Sequence, residues 1–178
     1  MAGPPVGRRG PNAQDGCARS DRPGAWGAAV TLLALRPRST REIRETLRRR
    51  GYASDEIADA VARLTTARYL DDAEFARNWV SARARRGLTG PARLARELRA
   101  KGIADVEISA AIDALAEEWD LAASADAAAR RKVQSLGGVP SVVARRRLAA
   151  HLERRGFAPE IIRAMCRKHI PGGDDPAD

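Results

Sequence analysis

Two cysteines, seven aromatic residues and three lysines are all that 178 residues supply of those kinds. Each shortage excludes something. Cys17 and Cys166 stand far apart with no ligand-like spacing, so the chain carries neither a disulfide framework nor a zinc motif. With few Tyr, Phe or Thr, and apolar content made mostly of Ala, Leu, Val and Ile, the composition favours helices over sheets. No apolar run reaches the length of a bilayer: the longest, AWGAAVTLLAL at Ala25–Leu35, is too short to cross. A secretory signal pattern is missing as well, so the expected protein is soluble and cytoplasmic. Missing too are a glycine-rich phosphate loop, a nucleophile elbow and a carboxylate cluster. His151 and His169 are isolated in the sequence, and Asp71 with Asp72 reads as a helix cap, not a metal or catalytic pair. The expectation is no catalytic residue, no metal, no cofactor and no small-molecule substrate.

Positive charge is abundant. Of 32 basic residues 29 are Arg, and the formal net charge is +9. A GC-rich coding sequence would explain Arg over Lys but not the net charge, which points to an anionic partner. The sign is also sorted along the chain. Arg77 to Lys101 holds eight basic residues and the single acid Glu97. Arg130 to Arg155 again holds eight and the single acid Glu153. Between them, Ala104 to Ala129 holds seven acids and no Lys or Arg. A merely solvated surface would mix the signs.

One phrase occurs three times: IRETLRRRGY ending at Tyr52, LARELRAKGI ending at Ile103, and LAAHLERRGF ending at Phe157. A helix often stops with a left-handed Gly, after which an apolar residue folds back onto the last inward-facing helical position. The predicted pairs are Leu47 with Tyr52, Leu98 with Ile103, and Leu152 with Phe157, about glycines 51, 102 and 156. After each Gly another helix start follows, with Ser54 and Asp105 as expected N-caps and Pro159 in a first turn. Apolar stripes continue at helical spacing: Ile57, Val61, Leu64; Ile108, Ile112, Leu115; Ile161, Met165. Before each phrase lies a further helix. Ser39 with Glu42 has capping-box spacing, as do Asp71 with Glu74, while Pro91 and Pro140 open the equivalent helices. Trp26, Phe75, Trp79 and Trp119 are expected in cores.

The unit is thus three helices, used three times, and the expected fold is all-α: an elongated, curved, solenoid-like body of tandem repeats. The expected divisions are a disordered tail over 1–23, repeats over 24–66, 67–117 and 118–169, and an acidic disordered tail over 170–178.

The block YLDDAEFARNWVSARARRGLTGPARLARELRAKGI (Tyr69–Ile103) resembles the central signature of the RecX family. The shared elements are Tyr69-Leu70-Asp71-Asp72, Phe75-Ala76, Arg83, Gly90 with Arg93-Leu94, Glu97-Leu98 and Lys101-Gly102-Ile103. RPRSTREIRETLRRRGY (Arg36–Tyr52) matches the family's first repeat, and the third matches more loosely. The resemblance implies tandem three-helix repeats and a non-enzymatic regulator that binds the RecA recombinase filament on DNA. It implies restraint of recombinase, ATPase and coprotease activities in DNA repair and the SOS response. Weak non-specific binding to single- or double-stranded DNA and a monomeric state are expected with it. The candidate contacts are Arg83, Arg85, Arg86, Arg93, Arg96 and Arg99 in the second repeat, and Arg145, Arg146, Arg147, Arg154 and Arg155 in the third. Of the Arg145–Arg147 run, Arg145 lies three before the buried Leu148 and flanks the stripe, leaving Arg146 and Arg147 for solvent. The runner-up is a stand-alone DNA-binding protein. Against it, the third helices offer Ala and acids where a base-reading face needs Asn, Gln or Arg. A helical scaffold for another acidic protein is the third reading.

Overall fold

The computed structural model describes residues 23–116 and 119–171. Among them are nine α-helices and no strand. The first three are α1 (Ala25–Leu35), α2 (Thr40–Arg49) and α3 (Ser54–Thr66). Next come α4 (Asp72–Ala84), α5 (Pro91–Ala100) and α6 (Asp105–Ala116), then α7 (Leu121–Val133), α8 (Ser141–Arg154) and α9 (Pro159–His169). A 3-10 turn at Gln134–Leu136 extends α7. The N- and C-terminal stretches expected to be disordered fall outside these residues, as does Cys17, apart from their inner edges. There the expectation needs trimming: Ile170 is buried in the last core.

The described residues form three separate apolar cores, one per trio of helices. The first gathers Ala28, Ala29 and Leu32 of α1, Ile43 and Leu47 of α2, and Ile57, Val61 and Leu64 of α3. The second gathers Phe75, Ala76 and Val80 with Leu94, Leu98 and Ile108. The third gathers Ala125, Ala128 and Ala129 with Leu148, Leu152, Phe157 and Met165. Alanines on α1 and α7 let neighbouring helices approach closely, and the leucines fill the space between. Leu47, Leu98 and Leu152 are fully buried, each contributing ~1.5–3 kcal/mol of apolar transfer.

The repeated phrase takes the expected shape. Gly51, Gly102 and Gly156 have φ of 78°, 80° and 83°. Tyr52, Ile103 and Phe157 each donate their N–H to the carbonyl of Leu47, Leu98 and Leu152 at 3.2, 3.2 and 3.3 Å. Each glycine N–H reaches the residue three positions before it, so the last helical carbonyls are satisfied.

Some local expectations shift. The N-caps of α3 and α6 are not Ser54 and Asp105, which are the first helical residues. Instead Glu56 and Glu107 reach back to the N–H groups of Ala53 and Ala104 at 2.9 and 3.2 Å. The carboxylate half of a capping box thus works without its hydroxyl half. Trp26 is not core: it is 36% exposed, with the Arg63 guanidinium 5.1 Å from its ring centre. Trp119 packs against the second core although it precedes α7, and its Nε1 donates to Ser124 Oγ at 3.0 Å. It therefore ties the connection between units to both.

Candidate nucleic-acid interface

The turns at Gly102 and Gly156 do a second job: each docks onto the start of the second helix in the preceding unit. At the first joint Ser39 caps α2 with both sides of its hydroxyl. Its Oγ accepts from the Glu42 N–H and donates to the Lys101 carbonyl at 2.7 Å. Ser39 is fully buried there. Lys101 Nζ lies 2.9 Å from Glu42 Oε1 and 4.4 Å from the Trp79 ring centre. Asp72 Oδ1 accepts from the Thr40 N–H at 2.8 Å. Burial works to raise the Glu42 carboxyl, but hydrogen bonds from Lys101 and Arg36 outweigh it and hold it below its ordinary value.

At the second joint the backbones meet directly. Gly90 donates to the Arg155 carbonyl at 2.7 Å, and Ala92 to the Gly156 carbonyl at 3.2 Å. A Cβ on Gly90 would sit 2.7 Å from the Phe157 nitrogen, and one on Gly156 2.9 Å from the Arg93 Cα. Only glycine fits at either place. The Arg155 guanidinium then reaches across to the Leu88 carbonyl at 2.6 Å.

This close approach opens a groove between α5 and α8, lined by Arg93, Arg96, Glu97, Ala100, His151, Arg154 and Arg155. Four guanidinium groups from two units face one carboxylate. That carboxylate is occupied: Glu97 takes Arg93 Nε at 3.0 Å, Arg83 Nε at 3.4 Å and Trp79 Nε1 at 3.3 Å. Arg96 donates to the Arg154 carbonyl at 3.2 Å, and Arg155 Nε to His151 Nε2 at 2.9 Å. Burial, with the neighbouring charges of Arg93 and Arg131, lowers the affinity of Arg155 for its proton. The fork-shaped donors left over suit phosphate or carboxylate oxygens. The equivalent cleft at the first joint is lined by Arg41, Arg44 and Arg48 but also by Glu45 and Asp72. Arg41 is already paired with Glu45 at 2.7 Å.

Of the eleven arginines singled out, the groove brings together Arg93, Arg96, Arg154 and Arg155. Arg83 stands behind it, stacked on Trp79 at 4.7 Å and paired with Glu97. Arg85 and Arg86 are exposed past the end of α4, and Arg99 is paired with Asp105 at 2.6 Å. Arg146 and Arg147 are exposed on α8. Arg145 is not: it is 8% exposed, turned inward by its place three residues before Leu148, and so drops out of any contact set.

Two histidines that looked incidental are engaged. His151 sits in the groove. His169 lies 2.7 Å from the buried Asp126, which also takes Lys168 at 2.8 Å and Arg130. Hydrogen bonds from Lys168 and His169 hold the Asp126 carboxyl far below the usual carboxylate range, against the opposing pull of burial. The pair joins residues 43 apart and left no periodic mark; the Arg155–His151 spacing of four was a visible one.

Comparison with known proteins agrees with this architecture. Residues 25–64 match the family model described as RecX, first three-helix domain, and residues 71–112 the one described as RecX, second three-helix domain. The chain is 33% identical to the regulatory protein RecX of Pelodictyon phaeoclathratiforme over 157 residues, 88% of this chain and 96% of that one. It is 38% identical to that of Prosthecochloris aestuarii over 144 residues, 81% and 92% of the two chains. A crystal structure of RecX from Lactobacillus salivarius superposes with a TM-score of 0.71 at 19% identity, covering 81% of this chain and 93% of the other. Another, of a regulatory protein RecX, gives a TM-score of 0.75 at 20% identity, covering 79% and 70%. The chain belongs to the RecX family of regulatory proteins.

Proposed function

We propose that this chain acts without chemistry of its own, in the cytoplasm and as a monomer, by binding the RecA nucleoprotein filament. Through that contact it restrains the filament's recombinase, ATPase and coprotease activities during DNA repair and the SOS response. The groove between α5 and α8 carries the reading. Four arginines from two units converge on an open site whose one acid is already paired. A filament presents DNA phosphates and protein acids along a helical path, and a row of helical units can follow it. Weak, salt-dependent binding to DNA alone comes with the same surface. The family membership supports a regulatory role; the RecA filament as target is the inference.

The test is inhibition of RecA ATPase and strand exchange at several salt concentrations. Arg93→Ala with Arg154→Ala is expected to weaken inhibition and to flatten its log–log salt slope by roughly 0.7–0.9 per lost phosphate contact. The Arg93 side chain is 42% exposed and Arg154 is exposed, so circular dichroism is expected to stay native. A folded double variant that inhibits like the parent at every salt would move the interface to Arg146, Arg147, Arg85 and Arg86.

A further inference from the structure

The groove between α5 and α8 contains one imidazole, the side chain whose ordinary pKa is closest to neutrality. His151 Nε2 accepts from Arg155 Nε at 2.9 Å. A ring nitrogen that accepts carries no proton, so this imidazole is neutral with its proton on Nδ1. The charged groups around it are unusually one-sided. From α5 come Arg93, Arg96 and Glu97, and from its own helix Arg154 and Arg155. From α7 come Lys132 and, acting on Arg155, Arg131. The only carboxylate among them, Glu97, is held by Arg93, Arg83 and Trp79. Burial first, then the charges of Arg155, Lys132 and Arg154, oppose a second proton on the ring.

We propose, building on the binding mode above, that a nucleic-acid phosphodiester seated in this groove is bound together with one proton, which His151 takes up from solvent. A phosphodiester brings a permanent negative charge among the same arginines and reverses the local sign. Arg155 Nε turns from His151 to a phosphate oxygen. The freed Nε2 accepts a proton from water, and the imidazolium becomes a further donor to the anion. The one bond formed is the Nε2–H bond to a proton delivered by solvent hydronium or buffer acid, and no other covalent bond in the protein changes. Affinity for nucleic acid therefore rises as pH falls through the range where His151 titrates, and by linkage the bound anion raises the pH at which it does so.

The chain has only two histidines, which makes the ring protons directly readable. Their NMR shifts are followed from pH 5 to pH 8 with and without saturating 5′-hydroxyl oligothymidylate, whose phosphates do not titrate there; His151→Gln assigns the signals. The His151 midpoint is expected to rise by about half a unit or more on binding. An unmoved His151 overturns the proposal. In parallel, affinity for the same oligonucleotide is measured at pH 8 and pH 6. The native chain is expected to tighten measurably, by up to about threefold for a half-unit rise, beyond any change in His151→Gln, whose side-chain carbonyl can still accept from Arg155. Equal pH dependence overturns the proposal. Should the variant not fold, the titration of the native chain, assigned with His169→Gln, decides alone. If Arg93→Ala with Arg154→Ala weakens oligonucleotide binding while His151 keeps its midpoint, only the proton linkage fails. If that pair leaves binding intact, or nothing binds, the groove reading fails with it.

Discussion

The two joints between units use the same turn and hold it by opposite means. At the first, side chains do the holding: the Ser39 hydroxyl, the Lys101–Glu42 pair and the Asp72 carboxylate. At the second, the holding is backbone to backbone, and the side chains that would intervene are absent because both contacting residues are glycine. The consequence lies in what each joint leaves over. The first spends Lys101 on Glu42 and Arg41 on Glu45, so its cleft is close to neutral. The second uses side-chain bonds only from Arg155 and Arg96 to backbone carbonyls, and the remaining donors of these two line an open groove with Arg93 and Arg154. A backbone joint thus frees side chains for binding that a side-chain joint consumes.

The sharpest way to break this contrast is to add one carbon at each glycine. Gly156→Ala must both hold a left-handed backbone and push a Cβ into Arg93, where Cα and backbone nitrogen are close. A loss of ~2–4 kcal/mol is expected in urea unfolding. Gly102→Ala meets the Arg41 side chain, whose Cδ and Cγ can swing away but whose Cβ moves only with α2, and no backbone atom, so a smaller loss of ~1–2 kcal/mol is expected. Equal losses would erase the distinction between the joints. Next in size, Ser39→Ala removes the cap of α2 and leaves the Lys101 carbonyl without its donor, for an expected ~1–2 kcal/mol. A neutral result would transfer the first joint to its ion pair.

A pH effect between pH 7 and pH 5.5 comes third and belongs to the second joint. Burial and cationic neighbours lower the His151 pKa in the folded chain, while the unfolded chain protonates near the ordinary value of about 6.5. Below that pH the unfolded state binds more protons, so stability falls as pH falls, and the loss continues down to the folded pKa. The melting temperature of the native chain is expected to drop more between pH 7 and pH 5.5 than that of His151→Gln. Parallel curves would show that the ring is not held neutral. The smallest effect is expected for Lys101→Met. Lys101 and Glu42 are each only about one-fifth exposed, but Arg36 remains to pair Glu42, so about 1 kcal/mol is lost in a thermal melt. A larger loss would make the first joint electrostatic.

Much of this was legible in the sequence, for a physical reason: the helices, their stops and their buried stripes are set by local chemistry. A left-handed Gly followed by an apolar residue needs no partner beyond its own helix, so three such phrases could be read as three turns. Ser39 with Glu42, and Pro91 with Pro159, mark helix starts by interactions within one turn. What could not be read was anything depending on which turn meets which helix. Gly90 gives no sign that it must admit Gly156, because the clash that excludes a side chain comes from a backbone 66 positions away. The inward turn of Arg145 followed from its spacing to Leu148, but the exposure of Trp26 did not follow from an apolar helix, since a helix apolar on every side does not say which side faces its neighbours. Sequence alone determined the three-helix unit and its threefold use, since hydrogen bonds and apolar spacing within some fifteen residues suffice for each part. Tertiary structure alone decided which arginines share a groove and that His151 stands among them, because charge acts through space and the distances were fixed only when one unit's turn docked on the second helix of the preceding unit.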